Sequence, residues 1–296
     1  MPLEEITAKL VKEFPQLGMR QVSDLSLDAD GSLAVVGYKK GSRSAVLTLL
    51  NPSGNITEQK PIEQKPRFVE SDSGNVVVGY DRSMTLSTLG SQSRNFLFLE
   101  LYDACFLDGR VITAGIPDTK QIRTEESMTW GYITLAQYQL GSRGDFEWVM
   151  KHPLRRPYLI ASNKTHAYTI EEDATVAKVG KATGVSPRSS ESLNLALSVE
   201  YPLNLTRWKP KDGSLDYAGE VSQLSPGTVD LDVDGEIAYC LYRNTLLKHD
   251  MGTHKTARVA LGSSNPKDLN SISVRRSDSA VNIAASTKDT VAIYSI

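Results

Sequence analysis

The sequence predicts an all-β protein built of stacked antiparallel sheets, and three observations carry that reading. An Asp/Gly/Ser turn, a β-branched or aliphatic strand and a second polar turn recur as one cassette along the chain. The copies return at roughly 35–45 residues, a period typical of repeat architectures. The last copy is one strand short, while the chain opens with a segment that looks like an outer strand. The cassette reads LDADGSLAVVGYKK at 27–40, VESDSGNVVVGYDRS at 69–83 and FLDGRVITAGIPD at 106–118. It returns as VDGEIAYCLYRN at 233–244 and, with Ser for Gly, as RRSDSAVNIAASTKD at 275–289. Such a unit cannot bury its apolar face alone, so the copies must stack.

The first copy justifies its elements in order. Residues 20–27 form an imperfectly alternating strand, and Asp28-Ala-Asp-Gly-Ser supplies a turn. Residues 33–38 are apolar at successive positions, which fits a strand buried on both faces. Residues 39–42 break it, 45–50 form a third strand, 51–55 (NPSGN) turn tightly, and 56–62 form a polar outer strand. Gly allows positive φ, Asn and Asp bond the backbone, and Pro fixes its own φ, which is why these residues sit at the turns. Four such strands joined by short turns describe one blade of a β-propeller.

On this pattern a single domain, 1–296, holds seven four-stranded blades at about 20–62, 66–100, 101–153, 156–183, 190–225, 226–262 and 268–296. The third carries an insertion at 118–130, and 183–192 has no apolar periodicity and reads as a loop. The fifth copy is the most degenerate, and six blades result if it is not one. The three strands of 268–296 need a fourth, and 6–14 (ITAKLVKEF), within 5–14, resembles the outer strands ATVAKVGKA and HKTARVALG. A strand donated from the other terminus protects an open sheet edge. The N-terminal strand is therefore expected to join the C-terminal blade and close the ring. The competing reading is a short amphipathic helix, because Ile6, Leu10, Val11 and Phe14 also sit at helical spacing.

Repeat length and offset closure together give the chain a resemblance to β-propellers of the WD40 kind. No Trp-Asp dipeptide ends a strand and the Gly-His pair is absent. The resemblance implies the fold and no particular subfamily.

Composition is that of an ordinary globular chain, 40 % hydrophobic and 23 % charged, with a formal net charge of -2. Net charge alone points to neither nucleic acid nor an anionic membrane. Cys105 and Cys240 lie in apolar runs and read as small buried hydrophobes. The opening residues carry Glu4, Glu5, Lys9, Lys12 and Glu13, unlike a secretory signal. No run of about eighteen apolar residues appears, so no membrane partner is expected. The expected location is intracellular, cytoplasmic or nuclear.

Catalytic signatures are missing. The segment Asp230-Leu-Asp-Val-Asp-Gly-Glu236 opens like a calcium loop, but position twelve, which needs a bidentate Glu, is Leu241. It reads as a β-turn whose Asp side chains satisfy turn amides. His152, His166, His249 and His254 lack zinc-site spacing and read as surface residues. Nucleophile elbows and phosphate-cradling loops are absent. No metal or cofactor is expected, and the chain reads as a non-enzymatic interaction scaffold. An enzyme with its site at the central channel is an alternative.

Sorting turns by side is more informative. In an up-and-down blade the first and third turns share one rim, and the second turn and the blade crossings share the other. The first set is short, Gly-rich and acidic-leaning; the second is longer and rich in Lys and Arg. Lys39, Lys40, Arg43, Lys65, Arg67 and Arg82 fall on the second rim. So do Lys151, Arg155, Arg156, Arg243 and the 118–130 insertion, with Trp130 near the rim as an aromatic anchor. Trp148, inside a strand-like run, reads as core. This face suits a protein partner or acidic peptide. Nucleic acid is the second candidate, weakened because no dense basic stripe interleaves with aromatics.

Overall fold

Turn chemistry sets the strand boundaries. In the first cassette Asp28 N–H donates to Ser32 O at 2.8 Å and Gly31 N–H to Asp28 O at 3.0 Å. Gly31 takes φ +87°, where an L side chain is strained. The structure, a computed structural model, describes residues 3–14, 17–88, 93–107, 109–117, 134–139, 146–151, 155–163, 165–173, 203–208, 215–221, 228–242, 244–262, 266–277 and 280–296. The chain divides into two compact units, Met1–Phe96 with Val229–Ile296, and Leu97–Thr228.

In the first unit β1 (Glu4–Phe14) precedes the four-stranded sheet β2 (Met19–Leu27), β3 (Leu33–Lys39), β4 (Ala45–Leu50) and β5 (Ile56–Ile62), paired in that order. These are the strands the first cassette predicts, and β5 is exposed or half-buried throughout. Next come β6 (Phe68–Asp72), β7 (Asn75–Gly79) and β8 (Ser83–Thr88), which lead to the start of β9 (Arg94–Leu107).

In the second unit the rest of β9 pairs with β10 (Arg110–Pro117), from Leu107↔Arg110 to Phe98↔Pro117. There β9 runs unbroken from the outer strand expected at 95–99 into the strand opening the following blade. Strands β11 (Thr134–Gln139) and β12 (Phe146–Lys151) complete that sheet. A further sheet runs β13 (Arg155–Ser162), β14 (Ala167–Asp173), β15 (Leu203–Trp208), β16 (Leu215–Val221). This differs from the division into blades at 156–183 and 190–225. Ala167↔Trp208 to Glu171↔Asn204 pairs β14 directly with β15, so strands assigned to two blades share one sheet. The physical reason is that β14 needs a partner on its open edge, and 203–208 supplies it across a long connection. The 118–130 insertion and the 183–192 loop lie outside the described residues.

The first unit resumes with β17 (Thr228–Asp234), β18 (Ile237–Tyr242), β19 (Thr245–Asp250), β20 (Lys255–Leu261), β21 (Ser271–Arg276), β22 (Val281–Ser286) and β23 (Val291–Ser295). As expected, β1 is a strand that joins the C-terminal sheet. Lys9–Phe14 pairs antiparallel with β23. One pairing was not foreseen: Glu4–Ala8 runs parallel to β20, so β1 links two sheets into the order β17-β18-β19-β20-β1-β23-β22-β21.

Buried side chains explain the stacking. Leu33 and Val35 enter one core cluster, while Ala34 and Val36 enter another. All four are at most 2 % exposed. Alternate residues point to opposite faces of a strand, so a continuous apolar run means a sheet covered on both sides. Strand β22 repeats the pattern, with Ile283 and Ala285 in one cluster and Ala284 in the other. Each fully buried Leu or Val contributes about 1.5–3 kcal/mol.

Candidate interaction site

Strands β17, β21, β2 and β6 are end strands of their sheets, so each leaves a row of main-chain groups without a sheet partner. Side chains from the neighbouring end strand fill that need. Asp230 Oδ2 accepts Ile272 N–H at 2.7 Å, and Asp232 Oδ2 accepts Val274 N–H at 2.6 Å. Ser271 and Ser273 Oγ accept Leu25 and Leu27 N–H at 3.2 and 2.9 Å. Asp24 Oδ2 accepts Val69 N–H at 2.7 Å, and Ser26 Oγ accepts Ser71 N–H at 2.9 Å. Within the second unit Asp103 Oδ2 does the same for Ile160 N–H at 2.9 Å.

These bonds correct the expectation for 230–236. Its first two carboxylates each accept the amide that follows with Oδ1, at 2.8 and 2.7 Å, and reach the next sheet with Oδ2. They also explain why Asp and Ser alternate at i, i+2 in strands otherwise apolar. That spacing (Asp24 and Ser26, Asp230 and Asp232, Ser271 and Ser273) is the signal that could have revealed them. Ser271 Oγ also donates to Asp24, and burial pushes the Asp24 carboxyl up to about 7, against these hydrogen bonds.

Because the bonds step in register, β17, β21, β2 and β6 run parallel and have common ends. The C-terminal end is acidic, with Asp28, Glu70, Asp72, Asp232 and Asp234 against Arg275 and Arg276. Arg275 Nη1 donates to both Asp232 carboxylate oxygens at 3.1 and 3.0 Å, and Arg276 Nη2 meets Asp234 Oδ2 at 2.9 Å. Burial works against the charge on Arg275, but Asp232 and Glu70 outweigh it and raise its pKa. Burial, then Asp28, pushes Asp72 upward. Among the described residues no group of His, Cys, Asp and Glu is arranged to hold a metal ion.

The N-terminal end carries much of the sequence-derived set. Lys39, Lys40 and Arg43 are exposed in and beside the β3–β4 turn, and Lys40 N–H donates to Gly18 O at 2.7 Å. Lys65 and Arg67 are exposed in the β5–β6 crossing, and Arg82 is exposed in the β7–β8 turn. Asp81 meets Arg67 at 3.6 Å and dilutes its charge. Lys288 is exposed in the β22–β23 turn, the STKD turn that the sequence also places on this rim; sequence reasoning missed Arg20, exposed at the start of β2 with its guanidinium 5.4 Å from the Tyr38 ring centre. In the second unit Arg155 and Arg156 open β13 and Lys151 ends β12. Trp148 lies in β12, in register with Gln137. Trp130 and Arg243 lie outside the described residues.

Two other expectations meet the structure here. Cys105 and Cys240 are buried and not joined in a disulfide, and burial, then Asp230, pushes Cys240 up to about 12. His249, expected at the surface, is only 3 % exposed in β19. Its Nδ1 lies 2.9 Å from Thr256 Oγ1, and burial holds its pKa down.

This arrangement of sheets is shared with solved structures. One chain of the mitotic checkpoint complex superposes with a TM-score of 0.56 at 8 % identity, covering 97 % of this chain and 95 % of that one. Hsv2 from Kluyveromyces lactis gives 0.51 at 10 % identity over 90 % of both chains. The fold is a WD40-like β-propeller. No protein-family model matches the propeller sequence, and no curated protein matches it. Among the described residues of the propeller, no helix is long and apolar enough to cross a membrane.

Proposed function

We propose that this propeller is a non-enzymatic, intracellular scaffold that holds an acidic segment of a partner protein on its Lys/Arg-bearing end. One observation carries the reading: in the first unit Lys39, Lys40, Arg43, Arg82 and Lys288 gather at one end of the parallel strands, diluted by Asp81 and Asp289, and Asp28, Glu70, Asp72, Asp232 and Asp234 gather at the other. Loops on a rigid scaffold are the usual place for binding groups. Charge separated this way attracts an anionic partner to one end and repels it from the other, despite a formal net charge of -2. Arg20 and Arg43 offer planar forks for carboxylate pairs, and the lysines add attraction without geometry.

The test is a titration of the whole protein with a fluorescent oligoglutamate peptide and, separately, with single-stranded RNA of matched charge. Lys39→Glu/Lys40→Glu/Arg43→Glu should weaken peptide binding about tenfold or more, with little effect from reversing exposed charge on β5. Peptide affinity unchanged by the triple variant would overturn the reading. RNA bound more tightly than the peptide, with a steep salt dependence, would replace it with nucleic-acid binding.

A further inference from the structure

Strand β1 holds its place in an unusual way. Its first half pairs parallel with β20 and its second half antiparallel with β23, so it covers two sheet edges at once. A register shift between Leu10 and Lys12 leaves Val11 as an extra residue in the ladder. On one side of that bulge Ala8 is fully buried in the cluster containing Tyr239, Ile283 and Tyr294. On the other side Phe14, 8 % exposed, enters a different cluster with Leu17, Val22 and Val291. Lys12 Nζ donates to Ser53 O, and its ammonium lies 5.2 Å from the Phe14 ring centre.

The attachment is specific but thin. Leu10 and Val11 remain 53 % and 62 % exposed, so much of the strand's apolar surface adds little burial. What remains is a ladder of main-chain bonds, half-buried Ile6, Ala8, the Phe14 ring and the Lys12 contacts, set against the entropy of ordering an eleven-residue strand. Phe14 precedes Pro15 in sequence, which favours an extended backbone where β1 leaves its sheet.

We propose that β1 is exchangeable: the groove between β20 and β23 accepts the Glu4–Phe14 strand of a second copy of this chain. The occupant follows from the groove itself. It takes a residue no larger than alanine at the Ala8 position and an aromatic ring at the Phe14 position, joined by a bulge, and the chain's own segment is built to that pattern. When β1 lifts, the edges of β20 and β23 are exposed together, and an identical strand restores every bond. Exchange of an identical element is a low-cost route to a dimer. This inference is independent of the Lys/Arg end.

The experiment uses the full-length protein and a fluorescein-labelled peptide of residues 3–14, followed by fluorescence anisotropy. Uptake should be saturable, and Phe14→Ala in the protein, which weakens its own strand, should raise apparent peptide affinity by roughly a hundredfold. The same peptide carrying Ala8→Trp should not enter. As a readout on unaltered protein, isotopically light and heavy preparations held together at high concentration should give mixed dimers by native mass spectrometry. No uptake by either protein together with no mixed dimer overturns the proposal. Equal uptake of the Ala8→Trp peptide overturns it too, because the groove would then take any extended segment.

Discussion

Two ion pairs on adjacent strands provide a controlled comparison, and the sharpest prediction rests on them. Asp232 pairs with Arg275, and Asp234, two positions along, pairs with Arg276, at 3.0 and 2.9 Å. The surroundings differ: the Arg275 side chain is 26 % exposed and the Arg276 side chain 62 %. Asp232 also accepts Val274 N–H and the Ser273 hydroxyl. Removing it by Asp232→Ala strands a buried amide, worth about 1–3 kcal/mol. It also takes from a largely buried guanidinium its hydrogen-bonded counter-ion, leaving only Glu70 and Asp28 to offset the charge, a loss in the range of about 3–5 kcal/mol. These overlap and do not add, so the expected cost is about 3–5 kcal/mol. Asp234→Ala removes a carboxylate that is itself only 13 % exposed but leaves Arg276 in water, so it should cost about 1 kcal/mol. Urea unfolding monitored by far-ultraviolet circular dichroism, with slopes compared between variants, measures both. Adding Arg275→Met to Asp232→Ala should recover part of the loss, because the stranded charge leaves with its partner. Equal costs for the two alanine variants, or no recovery in the double variant, would refute the reasoning.

Two further outcomes follow from the geometry. The Asp24 carboxyl is raised from 3.8 to about 7, chiefly by burial, so protonation favours the fold. The stability tied to its protonated form is fully present below the unfolded-state value near 4. It is lost as pH rises to about 7 and is constant beyond, a fall on the order of 4 kcal/mol. Asp24→Asn keeps an acceptor for Val69 N–H and should flatten that fall. The difference between the two in urea midpoint from pH 4 to 8 reads it directly, and an unchanged difference would refute it. Gly54 sits at φ +80°, where an added Cβ would run into Lys12 and Phe14. Gly54→Ala should therefore cost about 1–3 kcal/mol and speed amide exchange along β1.

The fold was legible where a local rule had only one outcome. Leu33 to Val36 had to lie between two sheets because four successive apolar residues leave no polar face. The Asp28–Ser32 and Asn51–Asn55 turns carry the residues their conformations demand. Where the partner is distant, the sequence was silent. Asp24, Asp103, Asp230 and Asp232 look like ordinary strand or turn carboxylates until the amide that each accepts arrives from another sheet, 42 to 57 residues further along the chain. The direct pairing of β14 with β15 was hidden by the long connection between them, which imitates a blade boundary. At the basic end, turn order placed Lys39, Lys40, Arg43 and Arg82, since second turns alternate strictly with first ones. It did not show Arg20 against Tyr38 or Asp81 against Arg67, because both depend on side-chain directions.

The amides of Leu25 and Leu27 bond to serines 246 residues later in the chain. A ribosome making this protein therefore exports its earliest strands long before the groups that satisfy them exist. Until those residues emerge, the nascent chain presents an open edge at β2 and has no β20 or β23 to receive β1. Contacts of such separation form slowly. The N-terminal sheet thus waits for Ser271 and Ser273 before its edge is covered, and dependence on holding factors during translation should exceed that of a chain whose sheets finish in order.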